Sequence, residues 1–246
     1  RQIPYVLHLH DGSWLKAEHQ TRLQRAACCT ASSHQLQQAS RAAGLTNVTV
    51  IAWPWQAFPT QEHPKQDGPL RALVPHHRGH ASGLLALKAA IQQLPPQTLE
   101  FTVLDDAPAP IQPRRQRWGG CDVHWCSALT RPDLAELLAS HQIWIEPTLS
   151  GGDDLALAKE VLSAGLWLLA SDASATAELL DNGPFGTRLQ CQRRSDWHQQ
   201  LHQLLQHDHP PAPLLQFPAT QPNLTDVLES LHKRLGIWAD QRKPVL

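Results

Sequence analysis

The stretch best suited to chemistry is Ser150, Gly151, Gly152, Asp153 and Asp154. It lies between an apolar run ending at Pro147 and apolar positions at helical spacing, Leu155, Leu157, Val161, Leu162 and Ala164. Strand, glycine turn and helix in that order leave backbone N–H groups without intrahelical partners at a helix N-terminus, where a phosphate can bind. If the ligand is an anion, this loop is its site. Cys121, His124 and Cys126 are of types that ligate zinc. A strand through them turns Cys121 to one face and His124 and Cys126 to the other, and zinc sites want four converging ligands. They are expected to bind no metal. Asp105 and Asp106 read as a solvated acidic pair at a strand end. Most of the 15 histidines are expected on the surface, but His10 stands where the run PYVLHLH ends, the edge at which ligands gather in parallel α/β sheets.

The elements that must hold these residues alternate. Pro4 to His10 reads as a strand, Leu15 to Arg25 as a helix, Ala26 to Ala31 as a short run, and a helix capped by Ser32 or Ser33 stops at Gly44 before a strand over Val48 to Ala52. The segment from Trp53 to Pro69 carries Pro54, Pro59, Pro64 and Pro69 with little apolar pattern, and reads as a linker. Strands over 70–74, 100–104, 121–126, 143–145 and 166–170 and a weak one over 187–191 follow, with residues 105–119 read as a loop. Helices are expected over 84–94, 133–140, 155–164, 196–207 and about 224–238, with Gly165 in the left-handed conformation that ends a helix. The expected class is α/β, with a doubly wound parallel sheet in the second half.

A net charge of −1, from 21 basic and 22 acidic residues, gives no field that recruits nucleic acid. An odd number of cysteines, 5, with Cys28 beside Cys29, argues against a disulfide framework and for a reducing, cytoplasmic setting. No apolar run approaches the roughly 20 residues of a membrane span. The chain starts at Arg1 and has no Met, although Trp occurs 9 times. The expectation is that residues are omitted, so that spacing across a gap is shifted by a residue or more.

The order PYVLHLHD, ACCTASSHQLQQASRAAGLTNVTVIAWP, LVPHHRGHASGLLALKAAI and CDVHWCSALTRPDLAELLASHQIWIEPTLSGGDDLALAKEVLSAGLWLLASDASATAELLDNG resembles the bacterial retaining glycosyltransferases of the GT-B fold, sucrose-synthase-like group (group 1, family 4). The resemblance covers nearly the whole chain. It implies two Rossmann-like domains facing across a cleft: the C-terminal part of an acceptor domain over 1–57, a linker over 58–69, and a nucleotide-sugar-binding domain over 70–246 whose last helix packs back on the first. It also implies that roughly a hundred N-terminal residues are missing, judged from the usual size of such a domain.

The family's donor site carries over residue by residue. Its paired glutamates fall on Gly152 and Glu160: the second binds the ribose hydroxyls of the nucleotide, and the first, which contacts the donor sugar, is absent here, leaving Asp153 or Asp154 to take its place. Of the Arg and Lys that clamp the donor pyrophosphate, Arg78 matches the first and Ser82 stands at the second. His10 matches a histidine near the donor sugar. Asp172 and Glu178 keep an acidic pattern whose intervening glycines are gone. The resemblance implies metal-independent transfer of a sugar, with retention of configuration, from a nucleotide-diphosphate sugar to a glycan or lipid-linked acceptor, with no cofactor beyond that co-substrate and with room for peripheral membrane contact. The departures at Ser82 and Gly152 equally suit a degenerate relative that binds a nucleotide or acts as a scaffold.

Overall fold

The structure, a computed structural model, describes residues 5–9, 15–51, 55–59, 68–76, 83–105, 114–127, 130–149, 155–182, 185–190, 194–206 and 224–241. Strands β1 (Val6–Leu9), β2 (Cys28–Ala31) and β3 (Val48–Val50) form a parallel sheet in that order, with helices α1 (Gln20–Arg25) and α2 (His34–Ala42) between them. Every residue of β2 is buried, as a central parallel strand requires. Ser33 caps α2, its hydroxyl accepting the Leu36 N–H at 3.1 Å, and Gly44 closes the turn after it at φ +88°. Leu9, Leu23, Cys29, Leu36 and Val48 make the core of this unit.

The second sheet has seven strands: β4 (Leu70–His76), β5 (Leu99–Asp105), β6 (Arg114–Trp118), β7 (Cys121–Ser127), β8 (Ile143–Glu146), β9 (Trp167–Ser171) and β10 (Gly186–Leu189). Their order across the sheet is β10-β9-β8-β4-β5-β7-β6, and all pairs are parallel except β6 with β7. Helices α3 (Leu84–Ile91), α4 (Arg131–Ser140), α5 (Leu155–Ser163) and α6 (Arg194–Gln206) cover the faces, and α7 (Leu224–Gln241) ends the described chain. Strand alternation divides the core in two. Ala72, Val74, Phe101, Val103, Ile143 and Ile145 pack with Leu87 and Ile91 of α3 and Trp197 and Leu201 of α6. Leu73, Trp144 and Leu168 point the other way, onto Leu138 of α4 and Val161 and Leu162 of α5.

The expected α/β class is therefore the observed one, and the expected second-half strands are present with shifted ends. Two local readings differ. Residues 114–118, read as part of a loop, form β6, an antiparallel edge strand with Arg114, Arg115, Gln116 and Arg117 exposed; a segment polar on both faces shows no period-2 signal. A 3-10 helix over Ala175–Asn182 intervenes before β10, where no element was expected. Gly165 adopts φ +95°, the expected left-handed close of α5.

The end of the segment read as the first domain, and the first residue of that read as the linker, are fastened to the second sheet's layer. Ile51 N–H still donates to Ala31 O of the first sheet, but Gln56 N–H donates to Glu160 Oε1 at 2.9 Å and Phe58 N–H to Ser163 Oγ at 2.9 Å, both on α5.

Candidate functional site

From β4 the chain builds outward through β5 and β7 on one side, then returns to place β8, β9 and β10 on the other. The order reverses between β4 and β8. Connections after these two adjacent strands diverge to opposite faces, leaving a crevice at the carboxyl edge where ligands bind in such sheets. One glycine fixes how closely the two loops approach. Gly83, at φ +61°, caps α3, and a Cβ there would stand 1.7 Å from Pro147 O. Only glycine lets the loop after β4 abut the loop after β8.

These loops carry most of the expected site. Arg78 and Ser82 follow β4; Gly151, Gly152 and Asp153 follow β8 and precede α5; His10 follows β1. All six, with Asp154, lie outside the described residues. Glu160 is described. It sits on α5 with its side chain 13% exposed, pairs through Oε2 with Arg131 Nη1 at 3.1 Å, and accepts the Gln56 N–H through Oε1. Arg131 opens α4, where Thr130 and Asp133 form a capping box: the Thr130 hydroxyl and N–H hold the Asp133 carboxyl below its usual range.

A cavity of about 580 Å³ lies between the two sheets' units. Ser32, Ser33 and Gln38 line one side, and Lys159 of α5, Asp172 and Glu178 line the other. Glu178 closes it at one point. Its carboxylate accepts the backbone N–H groups of His34, at 3.0 Å, and of Gln35, the first turn of α2, while Gln35 Nε2 donates to Ala173 O at 2.9 Å. A negative group at a helix N-terminus is stabilised by the helix dipole and by otherwise unmatched N–H donors. Burial lowers the pKa of Lys159, and Glu178 opposes that shift.

Strand β7 alternates as expected. Cys121 is buried with Val123 and Trp125, whereas His124 pairs with Glu100 at 3.1 Å on the other face, beside Arg71, whose Nε is also 3.1 Å from Glu100. Among the described residues no group of three or more His, Cys, Asp or Glu is arranged to hold a metal ion. Asp105 is not the solvated carboxylate expected. It is the last residue of β5 and 5% exposed, because β4 and β7 flank it at the carboxyl edge. Asp106 lies outside the described residues. Glu146, likewise buried at the end of β8 and accepting the Thr148 hydroxyl, escaped sequence reasoning, as did Arg131 and Lys159. A single charged residue beside a strand or helix end leaves no periodic signal. The adjacency of Lys159 to Glu160 was the one available hint.

No family model and no curated protein matches the sequence. Solved structures do. HepE of Anabaena in complex with UDP and glucose superimposes with a TM-score of 0.65 at 17% identity, over 97% of this chain and 70% of that one. Sucrose-phosphate synthase of Thermosynechococcus elongatus gives 0.62 at 16%, over 85% and 60%. WaaG, a glycosyltransferase involved in lipopolysaccharide biosynthesis, gives 0.59 at 12%, over 99% and 73%. Two parallel-dominated sheets, a switch point between β4 and β8, and these likenesses show that the chain has the GT-B fold.

Proposed function

We propose that the chain is a metal-independent retaining hexosyltransferase. It moves a sugar from a nucleotide-diphosphate donor to a glycan or lipid-linked acceptor on the cytoplasmic side. The observation that carries this reading is the switch point: the loops holding Arg78 and Ser82 and those holding Gly151, Gly152 and Asp153 leave the two adjacent strands, β4 and β8, between which the order reverses. Neighbours of the same fold are complexes with UDP and with UDP-glucose. In this reading residues 1–57 belong to an acceptor domain, 58–69 are a linker and 70–246 are the donor domain.

The chemistry is electrostatic. Departure of the sugar leaves a diphosphate whose added charge must be met in place, and a guanidinium together with N–H groups at a helix N-terminus does so without a metal. In this reading Arg78 and the start of α5 hold the diphosphate, Glu160 accepts the ribose hydroxyls, Asp153 contacts the donor sugar, and His10 reaches that sugar from the first unit. Ser82 supplies a hydroxyl but no charge.

Ser82 and Gly152 favour a second reading, a catalytically degenerate relative that binds a nucleotide or acts as a scaffold. Losing one electrostatic donor commonly costs roughly 10²–10³ in rate. The two readings part on incubation with UDP- and GDP-sugars and glycan acceptors. Release of nucleoside diphosphate coupled to a product with the donor's anomeric configuration, read by NMR, is the expected result. Nucleotide binding without turnover selects the second reading, and inversion contradicts the first.

A further inference from the structure

We infer that Arg131 is a positioning residue of the nucleotide site, setting the Glu160 carboxylate and tying it to the segment that joins the two sheets. The inference rests on the reading of Glu160 as the ribose ligand. At 13% exposure the Glu160 side chain has given up most of its water, and its charge needs protein partners. Gln56 N–H and Arg131 Nη1 supply them, one to each oxygen. The same guanidinium donates through Nη2 to Gln56 O at 2.7 Å and lies over the Phe58 ring, 4.2 Å from its centre. The Gln56 peptide is thus held on both sides, by its N–H on Glu160 and by its carbonyl on Arg131. Phe58 N–H continues the attachment one turn along α5, at Ser163 Oγ.

An exposed ion pair contributes little, and Arg131 taken alone, 40% exposed, would be one. Three features set it apart: a planar fork used on two different acceptors, a stacked ring, and a partner that is mostly buried. A carboxylate offers about four lone-pair positions, and the two bonds seen here leave two for ribose hydroxyls. Arg131 therefore holds the carboxylate without filling it. Lysine can replace the charge but not the fork. Because the joining segment and the ribose share one carboxylate, nucleotide binding and the attachment of that segment are linked.

The test is a double-mutant cycle on affinity for UDP and GDP, measured by calorimetry on the full chain with Arg131→Gln, Arg131→Lys, Glu160→Gln and the Arg131→Gln/Glu160→Gln pair. Arg131→Gln is expected to weaken binding roughly tenfold, about the value of one charge-assisted hydrogen bond, with Arg131→Lys recovering only part. In the Glu160→Gln background it is expected to cost nothing further. Unchanged affinity on Arg131→Gln in a wild type that binds overturns the inference alone. So does the same tenfold loss in both backgrounds, since Arg131 would then act by another route. A wild type that binds neither nucleotide overturns the functional reading and this inference with it. Should Arg131→Gln not fold, Arg131→Lys carries the same cycle with a smaller factor.

Discussion

Glu160 combines contacts that hold the joining segment with a proposed place at the ribose. Its place two turns into the helix after a glycine loop was legible in the sequence; its partners were not, because Gln56 and Arg131 are distant in the chain and carry no periodic mark. Glu160→Gln should weaken UDP or GDP binding by ~1–3 kcal/mol, the cost of charge-assisted bonds to hydroxyls. The structure adds a smaller stability cost of up to ~1 kcal/mol, since the amide keeps the Gln56 bond but loses the Arg131 pair. Calorimetric affinity beside a denaturant midpoint separates the two, and equal nucleotide affinity would remove Glu160 from the site. His141 makes a pH prediction. It is 4% exposed, with Nδ1 donating to Leu137 O at 2.7 Å and Nε2 accepting from Thr102 Oγ1 at 2.9 Å; burial brings its pKa down to about 4, with Arg71 and His124 acting in the same direction and the Leu137 carbonyl and Glu100 against it. Between about pH 6.5 and 4 the unfolded chain binds this proton and the folded chain does not. Stability falls as the pH is lowered through that window, by up to about 3 kcal/mol from this group, and levels below it. His141→Gln should flatten that part of the profile; the same slope in both proteins would contradict the assignment.

At the scale of elements, caps and turns were the most readable features, since each is a local bargain between one side chain and the adjacent backbone. Ser33, Gly44 and Gly165 stand where their residue types placed them. The start of α4 shifted from Asp133 to Arg131 because Thr130, not a residue further on, takes the cap. Thr130→Ala should lower stability by about 1 kcal/mol, measurable by thermal denaturation, and no change would mean that the capping box contributes nothing net. Strand β6 was illegible for a different reason: it is recognised by pairing with β7, not by any pattern of its own. Gly83 matters most for the site. Gly83→Ala combines a left-handed backbone with a Cβ 1.7 Å from Pro147 O, and should cost roughly 2 kcal/mol or more while weakening nucleotide binding, because the loops after β4 and β8 must separate. A variant of unchanged stability would show that the two loops do not need their present approach.

For the whole molecule, the α/β alternation gave the class, whereas the relation between the two sheets rests on contacts that link residues far apart in the chain. The contact of Glu178, in the 3-10 helix, with the first turn of α2 is the clearest of these: the sequence shows an acidic residue in ASATAELL and nothing of the helix it caps. Glu178→Ala removes the carboxylate from two N–H groups of α2, and should let the units separate, raising the radius of gyration in X-ray scattering and lowering the melting temperature; an unchanged scattering profile would show that other contacts set their relation. The buried ends of β5 and β8, Asp105 and Glu146, belong to the same lesson, since burial of a carboxylate at a sheet edge depends on what the neighbouring strands cover. The proposed function requires a nucleoside diphosphate to bind at the crevice between β4 and β8. Amide hydrogen exchange read by mass spectrometry, with and without UDP or GDP, tests it most directly. Protection of peptides spanning 77–83 and 147–160 is the predicted result; protection confined to other segments, or none with either nucleotide, would contradict it.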